Sequence, residues 1–229
     1  MKMAYLRAEG IKKVYQEDKV QTPALRGIDF KMEQAEFTAL FGPSGSGKTT
    51  LLNILGGLDR PTEGKVFLGD KNLTRMREGE LSSLRLFKIG FVFQSYNLIP
   101  VLTALENVEY VLLLQRLPRK ERSDRARKLL EELGLGELVN KRPTEMSGGE
   151  QQRVAVARAI VHYPELVLAD EPTANLDSNT ARELMELMKK LNQEKGISFL
   201  FSTHDPMVMA QARRLVEIRD GQIANEQIR

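Results

Sequence analysis

Residues 42–50 read Gly42-Pro43-Ser44-Gly45-Ser46-Gly47-Lys48-Thr49-Thr50. They follow the apolar run Phe37-Thr38-Ala39-Leu40-Phe41 and precede Leu51-Leu52-Asn53-Ile54-Leu55, so a glycine-rich loop joins a strand to a helix. Gly42, Gly47, Lys48 and Thr49 satisfy the spacing G-x-x-x-x-G-K-[ST]. Glycines let the backbone curl until its N–H groups converge on phosphate oxygens, the lysine reaches the outer phosphates, and the hydroxyl suits a Mg²⁺ ion. The helix that starts at the loop adds the positive end of its dipole. A merely flexible turn would need neither Lys48 nor Thr49, so the stretch predicts a phosphate cradle.

Three further apolar runs have strand length: Ile89–Phe93 before Gln94, Leu166–Ala169 before Asp170-Glu171, and Ile197–Phe201 before Ser202-Thr203-His204. Near-continuous apolar runs indicate strands buried on both faces. Between them, Ala181, Leu184, Met185, Met188 and Leu191 fall on one helical face, and Ala126, Leu129, Leu130 and Leu133 on another. Alternating strands and helices predict an α/β domain with a mainly parallel sheet, whose ligands sit beyond the carboxyl ends of the strands. The polar endings of the four runs belong there. From about Ser95 to Met146 no strand is evident and helix signals accumulate, including a capping box at Thr103-x-x-Glu106. This stretch reads as a helical insertion (95–146) in a single domain 1–229 whose core is 1–94 and 147–229. The alternation of Ala4, Leu6 and Ala8, then Ile28 and Phe30, flanks a polar turn at Gln16–Thr22 and predicts amino-terminal antiparallel strands.

The chain has 229 residues, 41% of them hydrophobic and 28% charged, which is ordinary for a globular protein and excludes extensive disorder. The net charge of +3 is spread along the chain, so no nucleic-acid partner is expected. Cysteine is absent, which excludes disulfides and thiolate metal sites. No secretory leader or membrane-spanning run is apparent.

Two other clusters carry chemistry. Asp170 and Glu171 close an apolar strand, and phosphoryl transfer needs such a pair: Asp170 to hold the Mg²⁺ shell, Glu171 to orient and deprotonate a water. Ser147-Gly148-Gly149-Glu150 fits a capping box, yet each glycine costs about 1 kcal/mol of helix propensity against alanine. A ligand approaching bare backbone N–H groups would explain them. His162 reads as a helix-end residue without a catalytic part.

Taken in order, these features resemble the ATP-binding cassette (ABC) ATPases over the whole chain. Gly42–Thr50 matches the family's Walker A. Gln94 after Phe91-Val92-Phe93 matches the Q-loop, Met146–Gln152 the signature, and Leu166–Pro172 the Walker B. Asn175-Leu176-Asp177 matches the D-loop, and Ser202–Asp205 the switch-histidine motif. Met146 stands where leucine is usual and Ala174 where serine or glycine is frequent; neither change removes a phosphate-contacting group.

The resemblance implies a P-loop NTPase fold and a head-to-tail homodimer. Each ATP would lie between the Gly42–Thr50 loop of one subunit and Ser147, Gly148 and Gly149 of the other, with Asp177 among the nucleotide-binding residues. It also implies that Tyr15 stacks on adenine, that Thr49 and Gln94 bind Mg²⁺ while Asp170 holds it through water, that Glu171 is the general base, and that His204 senses the γ-phosphate. FQSYNLIPVLTALENV, GGLDRPTEGKV and EMSGGEQQRVAVARA are most similar to the ATPases of lipoprotein-release and macrolide-efflux transporters. The implied partner is an integral membrane permease, and the implied place is the cytoplasmic face of the inner (plasma) membrane. Cell-division relatives imply an alternative, an ATPase switch that signals to cell-wall enzymes. Translation and DNA-repair ABC proteins are disfavoured because they carry tandem cassettes or a long coiled-coil insertion. Asn140-Lys141-Arg142-Pro143 lacks the aspartate of a GTPase base-reading motif. Some of Tyr96, Leu98 and Ile99 are expected to be exposed as an apolar surface that receives the permease.

Overall fold

The computed structural model describes residues 5–17 and 20–229. Ala4 of the amino-terminal alternation and the centre of the polar turn, Asp18-Lys19, lie outside the described residues. In chain order the strands are β1 (Leu6–Glu17), β2 (Val20–Met32), β3 (Phe37–Phe41), β4 (Glu63–Leu68), β5 (Lys71–Asn72), β6 (Ile89–Val92), β7 (Leu166–Ala169), β8 (Ser198–Thr203), β9 (Arg214–Arg219) and β10 (Gln222–Ile228). The helices are α1 (Lys48–Leu55), α2 (Glu78–Lys88), α3 (Ala104–Leu114), α4 (Arg119–Glu132), α5 (Gly148–Ile160), α6 (Ser178–Lys195) and α7 (Pro206–Met209).

The main sheet runs β10-β9-β3-β8-β7-β6 and is parallel except for the β9–β10 hairpin. All four expected parallel strands are present. The strands β9 and β10 were not read from the sequence, and they matter below because their turn abuts the phosphate loop. The second sheet, β2-β1-β4-β5, is antiparallel. Its first two strands correct the expected turn: Gln16 pairs with Gln21 and Glu17 with Val20, so the ladder continues through most of Gln16–Thr22. Gln16, Gln21 and Thr22 are exposed on the ladder, where polar residues are tolerated.

Burial follows the patterns that predicted it. Leu6, Ile11, Ile28, Phe30 and Met32 join Leu51, Ile54 and Leu55 of α1 in one core between the two sheets. Leu184, Met185, Met188 and Leu191 cover the other face of the main sheet against Phe37, Phe199 and Phe201, and Ala181 of the same helix is buried as well. Each such large side chain stabilises the fold by roughly 1.5–3 kcal/mol on full burial. A third cluster joins α3 and α4 through Val108, Leu112, Ala126 and Leu130 to Val154, Ala157 and Val161 at α5. Because Val156 and Ile160 of α5 belong to the sheet's cluster, α5 presents one face to α3 and α4 and another to the main sheet. Buried Asn107 fastens the stretch after Gln94 to α3, accepting from Ile99 N at 2.8 Å and donating to the carbonyls of Ile99, Leu102 and Thr103. The Thr103 capping box is formed as expected.

His162, just past α5, has both ring nitrogens buried, and the backbone of Ile89 favours its charged form only partly. Burial pushes its pKa down from 6.5 to about 4. The unfolded chain therefore takes up a proton that the folded chain resists. The stability His162 confers is complete above pH 6.5 and is lost as pH falls towards 4, by about 3 kcal/mol at most. His162→Leu should flatten the fall of melting temperature across that interval, leaving only the loss from carboxylates such as Glu165 at lower pH. An unchanged pH profile in the variant would contradict this.

Candidate nucleotide site

Strand register sets the level of the site. Val92 pairs with Ala169, Ala169 with Phe201, and Phe41 with Thr203, so the residues that follow these strands emerge at one edge. They surround a cleft of about 510 Å³ lined by residues 44–50, Gln94, Glu171, His204 and Ala24.

The loop keeps its curve because two glycines have no alternative. A Cβ on Gly42 would fall 2.0 Å from the Ile218 carbonyl oxygen, and one on Gly47 would fall 2.8 Å from the Ala24 carbonyl oxygen; both lie at positive φ, 147° and 106°. The β9–β10 turn closes the loop from behind, with Gly221 N donating to Ser46 O at 3.0 Å. Lys48, only 8% exposed, turns its ammonium back to donate to Gly42 O at 2.8 Å and Pro43 O at 3.1 Å. The buried Ser46 Oγ has no partner among the described residues, as befits a loop built around further acceptors.

The carboxylates stand opposite. Thr49 Oγ1 donates to Asp170 Oδ2 at 2.9 Å, which brings the loop's hydroxyl and the β7 carboxylate to one point. Ser202 Oγ donates to the other Asp170 oxygen at 2.6 Å and accepts from Glu171 N at 2.8 Å. That bond holds Glu171 at φ 45°, a left-handed conformation that costs a non-glycine residue of order 1–3 kcal/mol. The Glu171 carboxylate faces His204 Nδ1 at 3.0 and 3.1 Å. Gln94 is tethered through its own carbonyl, which accepts from Asn175 Nδ2 at 2.9 Å. Ser202 was quoted in the sequence only as part of a motif. The signal for its role was a hydroxyl in a strand whose every residue is buried.

Not every expected residue joins the cleft. Tyr15 stands beside it on β1, 40% exposed, with its hydroxyl donating to Asp59 at 2.9 Å and the Lys13 ammonium 4.7 Å from its ring centroid. Ser147, Gly148 and Gly149 open α5 and are not among the residues that line this cleft. The capping box there is real: Glu150 N donates to Ser147 Oγ at 3.3 Å and Ser147 N to Glu150 Oε2 at 2.7 Å. That backbone bond holds the Glu150 carboxyl below its ordinary value. Asp177 caps α6, accepting from Asn179 N and from Thr180 N and Oγ1; the Thr180 bond lowers its pKa.

The expected docking surface is also corrected. Tyr96, Leu98 and Ile99 are all half-buried. Tyr96 is held against α5 by Arg158, and Leu98 packs on the helical cluster. The open apolar surface lies beside them, in a groove of about 350 Å³ where α2, β6, α3 and α5 meet. Phe91, Phe93 and Val111 line it, with Leu58 and Leu114 exposed at 45% and 52%.

A profile of the ABC transporter family matches residues 25–174, from β2 through the carboxylate pair. The chain belongs to the ABC transporter family. Among relatives of this family, the chain is 49% identical over 221 residues to the lipoprotein-releasing system ATP-binding protein LolD of Aquifex aeolicus, covering 96% of each. It is 45% identical over 226 residues to the macrolide export ATP-binding/permease protein MacB of Syntrophobacter fumaroxidans, covering 98% of this chain and 32% of that longer protein. Its fold matches the dimeric post-hydrolysis structure of the ATP-binding cassette MJ0796 bound to ADP and Pi, with a TM-score of 0.92 and 41% identity over 97% of this chain and 98% of that one. No helix among the described residues is long and apolar enough to cross a membrane.

Proposed function

We propose that this chain is the ATP-binding and ATP-hydrolysing subunit of an ABC transporter, working as an ATP-driven homodimer on a separate membrane permease. One observation carries the reading: Lys48, Thr49, Gln94, Asp170, Glu171 and His204, scattered over more than half the chain, converge on one cleft at the carboxyl edge of the sheet. The dimeric ADP and Pi complex of the relative MJ0796 supports both the hydrolysis and the pairing.

The residues then have distinct tasks. Lys48 leaves the Gly42 and Pro43 carbonyls for the outer phosphates of ATP, and the N–H groups of residues 42–50 wrap the remaining phosphate oxygens. Among the described residues no group of three or more His, Cys, Asp or Glu is arranged to hold a metal. The hydroxyl of Thr49, the Gln94 side chain and Asp170 are hard oxygen donors, the set that suits Mg²⁺ sharing its remaining positions with phosphate and water. When bound, Mg²⁺ would neutralise charge developing on the phosphates. Glu171, positioned by Ser202, takes the proton from the attacking water, and His204 touches both Glu171 and the γ-phosphate position. Tyr15 packs on the adenine, and Ser147, Gly148, Gly149 and Asp177 serve the nucleotide of the opposite subunit.

The groove beside the cleft receives the permease, at the cytoplasmic face of the inner membrane. Its apolar lining abuts the segment that begins at Gln94, which gives the coupling a physical path. Charge at the rim tests it. Leu114→Glu should leave phosphate release by the isolated subunit within about twofold of wild type, since Leu114 is exposed and outside the cleft. Recovery of the permease by copurification should fall about tenfold or more. A wild-type subunit that releases no phosphate from Mg-ATP would refute the ATPase reading; a Leu114→Glu subunit that still copurifies normally would refute the docking site.

A further inference from the structure

Gly148 and Gly149 are pressed from two sides. A Cβ on Gly148 would fall 2.8 Å from the Tyr96 hydroxyl, and one on Gly149 would fall 2.4 Å from Thr180 Cγ2. Thr180 is fixed through its side chain and Tyr96 through its backbone. Thr180 Oγ1 donates to Asp177 Oδ2 at 2.6 Å and its N–H to Oδ1 at 3.2 Å, which sets the rotamer that turns its methyl towards Gly149. Tyr96 and Asn97 occupy consecutive left-handed conformations, φ 60° and 49°, strained for non-glycine residues. Arg158 of α5 holds both there, donating to Tyr96 O at 2.9 Å and to Asn97 O. The turn that opens α5 is thus wedged between the segment following Gln94 and the helix following Asp177.

We propose that Tyr96 and Thr180 are positioning residues that set where the Ser147–Gly149 turn is presented to the nucleotide of the opposite subunit. The two glycines are then required by contacts inside this chain, and the turn reports the state of this chain's own Gln94 and Asp177 segments to its partner. The proposal rests on the dimer reading above. A competing explanation is that both positions are glycine solely to let a phosphate approach the backbone.

A rescue experiment separates them. In the Glu171→Gln background, ATP-driven dimerisation is measured by sedimentation, with nucleotide affinity and melting temperature measured on the same proteins. Gly149→Ala should weaken dimerisation by about tenfold or more, a coupling typical of contacting residues. Adding Thr180→Ser, which keeps the oxygen bonded to Asp177 and removes only the methyl, should restore it. Thr180→Ser alone and Tyr96→Phe alone should weaken dimerisation while nucleotide affinity and melting temperature stay at the parent's values. A double variant as impaired as Gly149→Ala, or Thr180→Ser and Tyr96→Phe proteins that dimerise like the parent, would overturn the proposal. A parent that does not dimerise with ATP removes the dimer reading and this proposal together; a dimerising parent with no rescue removes this proposal alone.

Discussion

Lys48→Ala should reduce Mg-ATP turnover by about 10²-fold to 10³-fold, the loss typical when one preorganised donor to a charged oxygen is removed from a site. Lys48 supplies a point charge that no neighbouring group can replace, because its ammonium is the group spanning the loop from Gly42 O to Pro43 O. The fold should survive. Gly42 is half-buried and Pro43 exposed, so water can replace the ammonium at their carbonyls, and the core beneath α1 is formed by Leu51, Ile54 and Leu55, which the substitution leaves untouched. Arginine would not substitute well, since a planar fork has a different reach and shape from an ammonium. Phosphate release and melting temperature measured together check the prediction. Wild-type turnover in the variant, or collapse of the fold, would contradict it.

Glu171→Gln has the second large effect. The amide keeps the size of the carboxylate and does not disturb the backbone bond from Glu171 N to Ser202 Oγ. It cannot accept a proton. Turnover should therefore fall by about 10²-fold to 10⁴-fold, the usual worth of a positioned general base. Nucleotide affinity should stay near wild type, because Lys48 and the loop N–H groups are intact. A variant that hydrolyses ATP normally would move the base elsewhere, and His204, in contact with the same carboxylate, would be the residue to examine.

Sequence carried the site better than it carried the sheet. The phosphate loop, the carboxylate pair, Gln94 and His204 were legible because each closes an apolar run, and strand register then had to bring those endings to one edge. The β9–β10 hairpin was not, although Asp220-Gly221 between alternating residues was a turn signal. Its strands carry the charged residues Arg214, Glu217, Arg219 and Glu226 and so show no continuous apolar run; β10 is the edge of the sheet, where charge is tolerated, and on the interior strand β9 Arg214 is paired with Glu36 and Glu226. The need for glycine at position 42 follows only from that hairpin, since the clash there is with Ile218 of β9. The glycines at 148 and 149 were recognised as costly, and a ligand was the reason inferred. The structure adds Tyr96 and Thr180, contacts between residues far apart in the chain that local pattern cannot supply. The expected exposure of Tyr96, Leu98 and Ile99 failed because Arg158, distant in sequence, and Asn107, on the helix that follows, pin that segment down.

ATP is expected to join two copies of this chain, and its hydrolysis to release them. Sedimentation velocity of the Glu171→Gln protein with and without Mg-ATP tests it most directly, because binding persists while the reaction that would part the subunits is blocked. We expect a monomer without nucleotide and a dimer of about twice the mass at saturating ATP, abolished when Lys48→Ala is added. A species that stays monomeric at saturating ATP, with binding verified on the same sample, would contradict it.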